Sequence, residues 1–317
     1  MLVNGKWIEN WQPVQGTDGK GGFVRQSAGF RHWVTPDGRP GPSGEGGFAA
    51  SAGRYHLYVA LTCPWASRVL FARQLKGLTE AIGVTVVEPV LTEQGWRFGD
   101  YPGADRDTLN GATYMHELYT LADPAYTGRA TVPVLWDTER RTIVNNESSE
   151  LLRILNTGFG DLASDEVDLY PEALRTAIDA LNEEIYPRLN NGVYRAGFAT
   201  TQEAYEEAFD DVFGMLDALE ARLAAGGPYL LGAALTEADI RLFVTLVRFD
   251  AAYHGIFKCN LRRLADYPAL SAYMLRLLAL PGARATVNID HIKQGYYSIR
   301  ALNPNGIVPK GPALAGF

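Results

Sequence analysis

Cys63 lies in LTCPWASR, with Pro64 directly after it and Ala66 where a C-x-x-C motif would carry its second thiol. The preceding run, RYHLYVAL (54–61), is apolar and β-prone; a helical pattern begins at Pro64. Proline suits the first helical position, because its missing N–H costs nothing there. The unpaired N–H groups of a helix start carry roughly half a positive charge. That field favours thiolate over thiol and lowers a cysteine pKa from about 8.5 towards ~3.5–7.5. The chemistry on offer is nucleophilic attack by a thiolate. The bland alternative, a free cysteine serving as a small buried apolar residue, suits Cys259 in FKCNLRR, which has no such context.

Ala66 limits what that thiolate does next. A C-x-x-C protein resolves its own mixed disulfide; a monothiol waits for an external thiol. In a reducing compartment that thiol is glutathione, so a glutathione site is expected. Two further motifs fit. In TVPVL the proline cannot continue a central ladder, and a cis Val132–Pro133 bond would leave the Val132 backbone to pair with a peptide-like ligand. An edge-strand proline explains it as well. In NNESSELL, Glu147 and Ser148 open a helix, where backbone N–H groups bind a carboxylate and Glu147 can meet an ammonium. One end of glutathione carries both groups. Ser148 taken alone is equally a plain N-cap.

The elements that must hold these residues form two domains. A chain of 317 residues is long enough for two at ~100–200 residues each. Hydrophobic content of 47% and charged content of 21% are ordinary for a soluble globular protein. A net charge of −7 argues against binding nucleic-acid backbones. No apolar run reaches the ~18 residues that span a bilayer, and MLVNGKWIENW lacks a signal-peptide pattern. A cytoplasmic location is therefore the default expectation, and in that reducing compartment no structural disulfide is expected between the only two cysteines, Cys63 and Cys259. Residues 1–53, with GKGG and GPSGEGG, read as an irregular extension, in which FVRQSAGFRHWV pins the segment to the body.

From 54 the order is strand (54–61), helix (64–76), strand (82–90), then two strands (131–137 and 141–145) and a helix (148–156). That mix predicts an α/β domain with a mixed sheet over 54–160. Arg68, Arg73 and Lys76 are expected on helix faces other than the one carrying Val69, Leu70, Ala72 and Leu75. Residues 91–127, rich in Trp and Tyr, read as a long, ordered, functional loop. After 160 the apolar period is helical: Leu174, Ile178, Leu181 and Ile185; then Tyr205 through Leu223; then 238–252 and 268–279. An all-α domain is expected over 161–295, with a tail from 296. In LTEADI, Thr236 and Asp239 form a capping signal between Leu235 and Ile240, which marks a fold and no chemistry.

The motifs CPWAS, TVPVLWD, NNESSELLRILN and LTEADIRLF together resemble the glutathione transferase superfamily, a thioredoxin-like domain followed by a helical one. The longer set, with LTCPWASR, GWRF, YTGRATVPVLWD, IVNNESSE, LNNGVYRAGFA, RFDAAYHGIFKCNLRR and NPNGIVPKGP, resembles its Xi class, the glutathionyl-hydroquinone reductases, over nearly the whole chain. The resemblance implies that Cys63 attacks the glutathione sulfur of a glutathionyl-hydroquinone. Hydroquinone leaves, and a second glutathione resolves the mixed disulfide in a ping-pong pattern. It implies that Trp96 lies against glutathione and that Arg129 contacts its carboxylate. Val132 pairs with its backbone, and Glu147 and Ser148 hold its γ-glutamyl end. Tyr194, Tyr253 and Tyr296 line the aromatic pocket, three that periodicity does not single out among 16 tyrosines. Where some members have histidines flanking the tyrosine pair at 296–297, this chain has Gly295 and Arg300. The resemblance also implies a homodimer formed through the helical domain, with glutathione as co-substrate and no metal.

Other readings share the same residues. An Omega-like thiol transferase or dehydroascorbate reductase would use Cys63 equally. A glutathione-dependent β-etherase is a further relative. A non-enzymatic binding module would not need Cys63, Pro64, Glu147 and Ser148 together. A conjugating transferase activates glutathione's own thiol through a Tyr or Ser hydroxyl, for which a cysteine is the wrong group.

Overall fold

β-Branched and aromatic side chains dominate 55–59 and 82–86, and both runs are strands of one sheet in a computed structural model that describes residues 1–8, 16–42, 47–314 and 316–317. Contacts divide the chain into two compact units. The first comprises Met1–Trp11 and Ser27–Val167; the second comprises Gln12–Gln26 and Asp168–Phe317. Part of GPSGEGG, residues 43–46, lies outside the described residues.

In the first unit, the segment before 54 is less irregular than its composition suggests. β1 (Leu2–Val3) pairs antiparallel with β2 (Lys6–Trp7), and β3 (Val34–Thr35) pairs parallel with β4 (Phe48–Ala49). The main sheet contains β5 (Tyr55–Val59), β6 (Ile82–Val86), β7 (Val134–Asp137) and β8 (Thr142–Asn145), in the order β6-β5-β7-β8. β5 runs parallel to β6 and antiparallel to β7, and β7 antiparallel to β8. This is the mixed sheet expected, reached by β-α-β and β-β-α connections. Helix α1 (Pro64–Leu75) links β5 to β6 and packs on α3 (Ser148–Arg153), which runs on into a π turn.

Two expectations need correction here. The 91–127 stretch is not a loop throughout: it carries α2 (Met115–Ala122), which packs on β8. The expected placement of Arg68, Arg73 and Lys76 on faces apart from the apolar one does not make them solvent-facing. Arg68 and Lys76 are buried and Arg73 is half-buried. Lys76 Nζ donates to the Val167 carbonyl at 2.8 Å, and Arg73 donates to the carbonyls of Ile82 and Thr79 at 2.7 and 2.6 Å. A buried cation survives by finding acceptors, and the helix pattern does not reveal which loops will supply them.

The second unit is helical: α4 (Arg175–Ile185), α5 (Gly192–Gly197), α6 (Gln202–Ala224), α7 (Glu237–Arg248), α8 (Pro268–Leu278) and α9 (Ile289–Tyr297). Asp239 performs the capping expected of it. Its carboxylate accepts the Thr236 N–H at 2.9 Å and hydroxyl at 3.0 Å, the Leu230 N–H at 2.9 Å and the Tyr273 hydroxyl at 2.8 Å. Burial still lifts its pKa above the ordinary carboxyl value. Tyr296 lies inside α9, so a tail beginning at 296 would cut a helix. No helix among the described residues is long and apolar enough to cross a membrane.

Candidate active site

β5 stops at Val59, a short turn follows, and Cys63 is the N-cap of α1, with extended backbone (φ −82°, ψ 120°) and Pro64 in the first turn. Its N–H donates to the Ala60 carbonyl at 3.0 Å, which fixes the approach to the helix. The side chain is partly exposed. Because β5 and β7 are antiparallel with Tyr58 opposite Val134, the end of one strand brings Cys63 to the beginning of the other. The sulfur lies 3.6 Å from the Val132 carbonyl oxygen. The Val132–Pro133 bond is cis. The Val132 N–H has no hydrogen-bond partner among the described residues, an open donor beside the thiol.

β8 delivers the 145–148 turn to the start of α3. The N-cap there is Glu147, not Ser148: its carboxylate accepts the Ser149 N–H at 3.0 Å and hydroxyl at 2.9 Å. Ser148 is buried, and its hydroxyl accepts from Arg68 Nη1 at 3.3 Å. The Arg68 guanidinium stacks 4.3 Å from the centre of the Trp65 ring. A buried arginine of the cysteine's own helix thus touches the serine of α3, a link the sequence reading missed by assigning Arg68 to another face. The Trp96 carbonyl accepts the Met115 N–H at 2.9 Å. Its indole is partly exposed and takes no hydrogen-bond or ring partner among the described residues. Arg129 is partly buried on the strip between Gly128, which exchanges backbone hydrogen bonds with Leu2, and Thr131.

In the second unit, Tyr194 (α5), Tyr253 and Tyr296 (α9) converge. Tyr194 Oη lies 2.5 Å from Tyr296 Oη, which lies 3.0 Å from Tyr253 Oη. Tyr253 and Tyr296 are buried, and Phe257 stacks on Tyr253 with ring centres 5.4 Å apart. Desolvation, reinforced by the neighbouring Tyr194, pushes both phenols well above their ordinary pKa, with Arg248 opposing. They stay protonated at neutral pH. Arg25 covers the outer ring, its guanidinium 4.9 Å from the Tyr194 centre. Gly295 is buried in α9, whereas Arg300 turns away to the Pro304 carbonyl at 2.8 Å. Neither residue puts a titratable group among the three hydroxyls.

Known proteins carry the same organisation. The family model "Glutathione S-transferase, N-terminal domain" matches residues 62–157, and "Glutathione S-transferase, C-terminal domain" matches 202–276. The chain is 50% identical to the glutathionyl-hydroquinone reductase YqjG of Escherichia coli, over 98% of this chain and 95% of the relative. It is 50% identical to the glutathionyl-hydroquinone reductase PcpF of Sphingobium chlorophenolicum, over 99% and 96%. The glutathione-bound structure of YqjG superimposes with a TM-score of 0.91 at 48% identity, covering 99% of this chain and 96% of that one. The glutathione S-transferase Xi of Phanerochaete chrysosporium gives 0.88 at 49%, covering 94% and 95%.

Proposed function

Since the chain belongs to the glutathione transferase family, in its Xi class, we propose that it is a glutathionyl-hydroquinone reductase working through one thiol. The observation that carries this is Cys63 at the head of α1, partly exposed, with the buried Ala66 in place of a resolving cysteine. The Cys63 thiolate attacks the glutathione sulfur of a glutathionyl-hydroquinone. An S–S bond forms, the aromatic C–S bond breaks, and its electron pair stays on the ring carbon, which takes a proton. Hydroquinone leaves. A second glutathione, as thiolate, attacks the mixed disulfide, releases oxidised glutathione and restores Cys63.

Glutathione occupies the 54–160 part of the chain, including the 91–127 insertion. Its peptide backbone pairs with the open Val132 N–H, and its γ-glutamyl end meets Glu147 and Ser148. Trp96 offers an uncommitted indole face, and Arg129 a cation for a carboxylate. The helical 161–295 part and Tyr296 receive the aromatic group, where Tyr194, Tyr253 and Tyr296 stabilise the phenol oxygens and supply the proton. The protein works as a cytoplasmic homodimer joined through its helical domain, with glutathione as its only co-substrate.

Steady-state turnover on a panel of glutathionyl-hydroquinones, for wild type and Cys63→Ala, tests this reading. Aromatic substrates should turn over only with Cys63 present. A clear preference for a small mixed disulfide would instead make the protein an Omega-like thiol transferase. Failure of oxidised glutathione to form an adduct on Cys63 would leave a binding module.

A further inference from the structure

Three aromatic rings from outside the main sheet and from outside α1 and α3 hold the backbone strip that ends at Val132. Tyr119, in α2, is the centre of this brace. Its hydroxyl donates to the Thr131 carbonyl at 2.9 Å, accepts the Thr131 N–H at 3.2 Å, and accepts the Asn146 side-chain amide at 2.9 Å. Asn146 is in turn fastened to Phe30: the Phe30 N–H donates to Asn146 Oδ1 at 3.0 Å, and the Asn146 N–H donates to the Phe30 carbonyl at 3.1 Å. The Phe30 ring meets Tyr119 edge-on at 5.8 Å and stacks on Tyr126 at 5.4 Å. The Tyr126 hydroxyl donates to the Arg129 carbonyl at 3.3 Å. The ring lies so close to the strip that a Cβ at Gly128 would come within 2.7 Å of Tyr126 Oη.

Thr131 precedes Val132, and Asn146 precedes Glu147. One buried hydroxyl therefore fixes both backbone segments offered to glutathione. The geometry points to Tyr119 as a positioning residue for glutathione recognition, setting the separation between the Val132 N–H and the Glu147 carboxylate. This inference rests on the functional reading above. It gives the N-terminal segment around Phe30 and the 91–127 insertion a shared task, since each contributes part of a brace that neither forms alone. Burial raises the Tyr119 pKa, with the hydrogen bonds to Thr131 and Asn146 opposing, so the hydroxyl keeps the proton it donates.

Tyr119→Phe keeps the ring and removes the hydroxyl's hydrogen bonds to Thr131 and Asn146, leaving their donors unmet and both backbone segments free to shift. In the full-length protein, the KM for glutathione and its Kd by calorimetry should rise about tenfold, equivalent to ~1.4 kcal/mol of binding free energy. Turnover at saturating glutathione and alkylation of Cys63 should stay within about twofold, since the thiol itself is untouched. Tyr126→Phe, which loses only the bond to Arg129, should show a smaller rise of about two- to threefold and serves if Tyr119→Phe folds poorly. A lower melting temperature with an unchanged glutathione KM in both variants overturns the positioning role and leaves a structural one. A wild-type protein that takes no glutathione on Cys63 overturns the functional reading, and the brace's purpose with it.

Discussion

Cys63 and Cys259 are the same side chain in opposite settings. Cys63 caps α1, partly exposed, with its sulfur 3.6 Å from the Val132 carbonyl. Cys259 is fully buried beyond Phe257, with its sulfur 3.8 Å from that residue's carbonyl. Each sulfur has a carbonyl for company, so the contact alone does not separate them. Solvent access and the helix start do. Burial pushes the Cys259 thiol from an ordinary 9.0 up to about 12, and the nearby Lys258 offsets this only in part. Such a thiol is neither ionised nor reachable at neutral pH. Reactivity here is a property of position along the fold.

Exchanging the two cysteines' substitutions breaks the comparison most sharply. Cys63→Ser should lower reduction of a glutathionyl-hydroquinone by at least about a thousandfold, because the nucleophile is gone. Cys259→Ala should leave turnover within about twofold and cost about 1 kcal/mol of stability for the small cavity. Folded Cys259→Ala protein with severely reduced turnover would end the comparison. Ala66→Cys sharpens it from the other side. The added thiol should resolve the Cys63 adduct internally, so mass spectrometry should find a 63–66 disulfide in place of bound glutathione.

Glu147→Gln probes the ligand-facing environment that Cys259 lacks. Losing a charge-assisted contact worth ~1.5–3 kcal/mol should raise the glutathione KM about tenfold or more. The Ser149 cap, which a carboxamide oxygen also accepts, should survive. The smallest effect belongs to Cys259 and pH. Its folded pKa is raised, so the unfolded thiol loses its proton first as pH climbs. Stability is then complete below about 9 and falls as pH rises towards about 12. Chemical denaturation of wild type and Cys259→Ala across that range should show a steeper alkaline loss in wild type.

What was legible in the sequence was local. Cys63, Pro64 and Ala66 are adjacent in the chain, and the Thr236–Asp239 cap spans three residues. The helical period of α4, α6, α7 and α8 repeats within a single turn. Features that depend on distant partners were not legible. Arg68 reads as lying on another face of α1 than Val69, Leu70, Ala72 and Leu75, and nothing local points to its partner Ser148, 80 residues away. Tyr194 and Tyr296, 102 residues apart, share a hydrogen bond that no periodicity foretells, and family resemblance alone selected them. α2 escaped because it is eight residues long and its N-cap, Tyr114, offers no capping hydrogen bond. α9 did carry a signal: Asn288 accepts the His291 N–H at 3.0 Å, an Asn N-cap of the usual kind.

The most direct test is a single turnover without free glutathione. Wild-type protein mixed with a limiting glutathionyl-hydroquinone should release one equivalent of hydroquinone and carry one glutathione on Cys63, with Cys259 unmodified, when the intact protein is weighed and its peptides are mapped. Hydroquinone released with no glutathione on Cys63, or with glutathione on Cys259, would contradict the monothiol mechanism.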